Sequence, residues 1–93
     1  MIREFNLGAI RWVVKEDNAR LEDLKLLGLC EFPKSLISIY SDKIDDDLIQ
    51  QTIYHEVIHA ILDTMGESEL SENDKFVQGF AILLHQFEKT KSE

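Results

Sequence analysis

Cysteine is almost missing: Cys30 stands alone among 93 residues. No internal disulfide can form, and a reducing, cytoplasmic setting is the simplest expectation. Proline is as scarce, with Pro33 the single example. No low-complexity or repeated stretch is present to act as a linker between domains. No apolar run approaches the length of a membrane span. The opening Met1–Asn6 has no basic segment ahead of an apolar core, so it does not read as a signal peptide. Basic charge is also in deficit: Lys and Arg number 10 against 18 Asp and Glu, for a formal charge of −8. Such a field repels phosphate backbones and anionic membranes, so neither nucleic acid nor membrane is expected as a partner.

What is present suits a folded protein. The chain is 44% hydrophobic and 30% charged, too apolar for disorder. Its length is enough for one domain, residues 1–93, and too short to bury a second core. Ile10, Trp12 and Val14 alternate as on one side of a strand within 9–16. Residues 2–6 fit a partner strand across an Asn6-Leu7-Gly8 turn. Leu21 to Leu27 read as a loop or one helical turn stopped by Gly28, and 29–32 as a short strand. Leu36–Tyr40 (L-I-S-I-Y) is the clearest strand, rich in β-branched and aromatic residues. These elements make residues 1–41 a small antiparallel sheet.

Two helices follow. The first, 45–65, starts at Asp45-Asp46-Asp47, whose carboxylates suit the positive end of a helix dipole, and stops at Gly66. The second, 71–89, carries Phe76, Phe80, Leu83, Leu84 and Phe87 on one stripe, expected to face the core. The short link between them makes the helices antiparallel neighbours. The expected class is α+β.

Inside the first helix stands His55-Glu56-Val57-Ile58-His59, an H-E-x-x-H run. Four residues advance about 400°, so both imidazoles leave one face a turn apart. Each nitrogen can then approach a single Zn²⁺ at about 2.0–2.1 Å. Glu56 is rotated about 100° from His55 and can act as general base on a metal-bound water. A shuffled chain of this composition would hold roughly 0.007 such runs, so accident is a poor explanation. The bland alternative makes His55 and His59 core histidines bonded to separate neighbours.

The third ligand is less determined. Asp63, Glu67, Glu69, Glu72, Asp74, Gln78 and His85 all lie downstream. Asp63 would have to reach around its own helix. Asp74 and His85 stand about 16 Å apart along the second helix and cannot share an ion. Asp74, early on that helix, is favoured, with Gln78 and Glu72 as weaker alternatives. Ser71-Glu72-Asn73-Asp74 also fits a capping box, which would make Asp74 a helix cap. Cys30 reads as a small buried apolar residue.

The stretch Thr52–Leu62, followed by Asp74-Lys75-Phe76-Val77-Gln78-Gly79-Phe80-Ala81, resembles the small gluzincin metallopeptidases of the ImmA/IrrE kind, closest to compact phage and prophage members. The resemblance covers the last half of the chain, and the N-terminal sheet only by layout. It implies a minimal gluzincin fold and a zinc-dependent peptidase with one Zn²⁺ per chain. His55, His59 and Asp74 would be its ligands and Glu56 its base. The family usually has Glu where this chain has Asp74, an arm one methylene longer. The strand Leu36, Ile37, Ser38, Ile39, Tyr40 would be the sheet edge on which an extended peptide or protein substrate adds. No Tyr or His is fixed by motif to stabilise an oxyanion; Tyr54 is expected to pack, and Tyr40 is a weak candidate.

The expected function is therefore hydrolysis of a peptide bond by Glu56-assisted attack of zinc-bound water. A second reading is a zinc-stabilised, catalytically inactive protein-binding module of phage origin, in which metal supplies folding energy that so small a core lacks. A third is a metal-free accessory protein that keeps the motif as a relic.

Overall fold

The computed structural model describes residues 1–93. Strands β1 (Glu4–Leu7) and β2 (Ile10–Glu16) form a hairpin turning at Gly8, where φ is +60°. Helix α1 (Asn18–Leu24) follows, then β3 (Gly28–Glu31), a 3₁₀ turn at Phe32–Lys34, and β4 (Leu36–Ile39). The long helix α2 (Asp46–Thr64), the single-turn α3 (Ser68–Ser71) and α4 (Asp74–Thr90) complete the chain. The class is α+β. No helix is long and apolar enough to cross a membrane.

The sheet departs from expectation in two linked ways. Its order is β1-β2-β4-β3, and β4 runs parallel to β2, so the sheet is mixed and not wholly antiparallel. Leu36–Ile39 is consequently an interior strand and not the sheet edge; the two edges are β1 and β3, and β3 is the one beside α2. The reason is hydropathy. Ile37, Ser38 and Ile39 are fully buried, and a strand covered on both faces belongs in the sheet centre. Gly28-Leu29-Cys30-Glu31 is only half-buried and takes the outside.

Alternation puts Trp12, Val14, Ile37 and Ile39 on one face, against Ile53 and Ala60 of α2. Each Val or Ile among them, fully buried, contributes roughly 1.5–3 kcal/mol. Leu21, also fully buried, belongs to α1 on the opposite face, where Arg20 Nη1 donates to Glu31 Oε1 at 2.7 Å. The 18–24 segment is thus two turns of helix, where a loop or one turn was expected; Lys25 ends it with φ +57°.

Helix α2 starts where its acidic run predicts, with the Asp45 side chain accepting from the Leu48 N–H at 2.9 Å. Ile58 and Leu62, on its far side, pack on Val77 and Ala81 of α4. α2 is therefore sandwiched between sheet and helix.

The second helix is the larger correction. It is not continuous from Ser71: α3 ends there and α4 begins at Asp74, capped by Asn73, whose side chain accepts from the Phe76 N–H at 3.0 Å. Ser71 and Asp74 form no capping box. Nor does the Phe76–Phe87 stripe face the core, because Val77 and Ala81, the smaller residues, make the close contact with α2. Phe76, Phe80, Leu83 and Phe87 are exposed.

Candidate functional site

The two histidines leave α2 on one side, as their spacing requires, and their rings meet edge to face with centroids 5.0 Å apart. His55 Nε2 and His59 Nε2 are 3.3 Å from each other. Two nitrogens bound at about 2.0–2.1 Å to one tetrahedral ion would be separated by about 3.3–3.4 Å. The pair stands at the edge length of a zinc tetrahedron.

The outer nitrogens are both engaged. His55 Nδ1 donates to Gln78 Oε1 at 2.7 Å. An amide oxygen can only accept, so the ring's proton is on Nδ1 and Nε2 presents a lone pair. His59 Nδ1 lies 3.0 Å from the hydroxyl of buried Ser71, which can accept in the same sense. This is the arrangement by which neighbours fix the tautomer and tilt of ligating imidazoles. Burial, and then the charge of His55, push the His59 pKa down; Asp63, Asp74 and the Ser71 contact oppose that shift. A ring kept neutral keeps its lone pair for a cation.

Glu56 is buried beside them against β3. A Cβ on Gly28 would stand 2.8 Å from Thr52 Cγ2 and 2.9 Å from Glu56 Oε2, so glycine is what lets the strand lie against this carboxylate. Burial pushes the Glu56 pKa up to about 7. A cleft of about 290 Å³, lined by Lys25, Leu27, Gly28, Thr52, His55 and Glu56, opens on one side. Another of about 280 Å³, reaching Leu29, Cys30, His59 and Asp63, opens on the other. Both share Leu26, Gly28, His55 and Glu56, and they follow β3.

The remaining expected residues are distributed as follows. Gln78 contacts the outer nitrogen of His55, which makes it an orienting partner and takes its oxygen away from the ligand positions. Glu72 is exposed at the end of α3. No third His, Cys, Asp or Glu joins the two rings at ligating distance. Asp74 falls in sequence between Ser71 and Gln78, the two residues that touch the rings from α3 and α4. Its charge acts on His59. The donors present thus fit two positions of a zinc ion; Asp63 and Asp74 both act on His59, Asp63 the more strongly, and neither completes a ligand group with the rings. Cys30 faces the second cleft, but burial, then Glu56, Asp63 and Glu31, push its thiol up to about 12. It stays protonated. Tyr54 packs beneath α4, its ring 5.9 Å from that of His85, which in turn approaches Asp47 at 3.8 Å. Tyr40 lines a separate hollow with Leu21 and Leu27.

Sequence reasoning passed over Ser71 and Gly28. Ser71 carried a signal, since a hydroxyl residue just ahead of a helix invites a polar role, but that role was read as capping. No family model, curated protein or solved structure matches the chain.

Proposed function

We propose that the chain is a zinc-dependent peptidase domain of the small gluzincin kind that its sequence resembles. The observation that carries this reading is the His55–His59 pair: Nε2 atoms 3.3 Å apart, with both Nδ1 atoms held by other side chains. His55 and His59 would hold the ion, with Asp74 as third ligand. When bound, zinc supplies the Lewis acidity that makes water acidic near neutral pH. Glu56 takes a proton from the attacking water as its oxygen bonds to the scissile carbonyl carbon. The same carboxyl returns that proton to the departing amine nitrogen as the C–N bond breaks. The outer edge of β3, with its unpaired N–H and C=O groups beside Glu56, supports docking of an extended peptide as a fifth strand. This role passes to β3 from Leu36–Tyr40, because β4 has neighbours on both sides.

A second reading, a zinc-stabilised binding module without turnover, draws on the two rings having no third His, Cys, Asp or Glu gathered with them. One set of proteins separates the two. Metal analysis of the native chain should give about one zinc per chain, and His59→Ala should lose most of it. Glu56→Gln should keep its zinc and lose about 10²–10⁴-fold in peptide hydrolysis. Zinc retained by His59→Ala would sink both readings. Zinc present with no cleavage of any peptide by the native chain would leave the binding module.

A further inference from the structure

We infer that the bare apolar stripe of α4 is the contact surface for a second copy of this chain, packed antiparallel about a two-fold axis between Ala81 and Ile82. Phe76, Phe80, Leu83 and Phe87 recur at intervals of four, three and four, the seam spacing of paired helices. They are 37, 51, 65 and 59% exposed. α4 makes its contact with α2 through Val77 and Ala81, about 120° round the helix, so the stripe is left over by the fold. It is continuous: the Phe76 and Phe80 rings meet edge to face at 6.0 Å, and Phe80, Leu83 and Leu84 line one shallow hollow.

Area and charge identify the occupant. The exposed parts of these four side chains sum to roughly 350–400 Å², large for the free surface of a small monomer. Two copies would bury about twice that in apolar area alone. With Gly79, Leu84 and Gln86 at the margins, the total reaches the order of 1,000 Å² that a specific interface needs. No Asp, Glu, Lys or Arg occurs from Phe76 to Phe87, although the chain carries −8 overall. This uncharged face lets two such acidic molecules meet without setting carboxylates against one another. Direction follows from the ends. Antiparallel packing sets Phe80 against Leu83 and Phe76 against Phe87. It keeps the acidic starts (Glu72, Asp74) apart and sets each near the mixed-charge end of the other helix, where Lys89 and Lys91 already pair with Asp47 and Glu88 of their own chain. Parallel packing would set Glu72 and Asp74 of one copy against their counterparts in the other. The charges are outward of the seam and set direction more than strength.

Sedimentation equilibrium on the full chain, from about 1 to 200 µM, tests this across the range in which modest interfaces assemble. The expected result is a concentration-dependent rise from the 10.8 kDa monomer to twice that mass. Leu83→Glu should weaken association at least tenfold with an unchanged far-UV spectrum. Ile82→Glu, an exposed site on the other side of α4, should leave it intact. If Leu83→Glu disturbs folding, Phe87→Glu, near the open end of the helix, serves in its place. A native chain that stays monomeric throughout overturns the inference, as does a dimer indifferent to both stripe variants. A monomer that instead sediments with phosphatidylcholine vesicles also overturns it, and assigns the stripe to a lipid surface.

Discussion

At the residue scale, the outer nitrogens of His55 and His59 are as informative as the inner ones. Gln78 Oε1 fixes a proton on one ring, and Ser71 Oγ can do so on the other. Removing such a neighbour typically lowers metal affinity by about 10–100-fold without touching a ligand. Gln78→Leu should therefore weaken zinc binding within that range, read by competition against a chromophoric chelator, while its circular dichroism stays native. Equal affinity in the variant would mean that the ring orientation is set by packing alone. The H-E-x-x-H run was legible in the sequence because helical periodicity alone dictates that two residues four apart share a face. Gln78 and Ser71 were not legible in these roles. Their positions depend on how α3 and α4 cross α2, and no local pattern encodes that angle.

At the element scale, α1 is tied to β3 by Arg20 and Glu31, with Lys34 adding a second contact at 3.2 Å. The hydrogen bond from Arg20, then that from Lys34, lowers the Glu31 pKa from 4.5 to about 2. A carboxylate whose folded pKa lies below its unfolded one stabilises the fold above the unfolded value, and that contribution vanishes as pH falls through the folded one. Between pH 5 and about 2 the native chain should therefore lose more stability than Glu31→Gln, measured as the shift of urea midpoint with pH. Parallel curves for the two proteins would refute the link. Two boundaries were legible from a cap or breaker, Asp45 at the start of α2 and Gly66 after its end, whereas the Asn73 cap of α4 was missed. The order of strands was not, because the parallel β2–β4 pairing is a long-range event. The amphipathic stripe of α4 misled for a related reason. Periodicity reveals that an apolar side exists, but Val77 and Ala81 won the place against α2 because small side chains permit closer approach.

At the scale of the whole molecule, the residues that bear the rings are also part of what closes the fold. Ile53 and Ala60 of α2 complete the sheet-side core, and Ile58 and Leu62 complete the α4-side one. His55 and His59 sit on the same few turns. Denaturant should then abolish the ring pairing, followed by imidazole proton shifts, at the same midpoint as Trp12 fluorescence, as expected for a two-state domain of this size. Separate midpoints would mean that α2 can loosen locally. An affinity for metal would in turn be felt by the entire molecule: every tenfold excess of free ion over its dissociation constant adds about 1.4 kcal/mol against unfolding. Zinc supply could then govern how long the polypeptide survives proteolysis, quite apart from any bond it cuts.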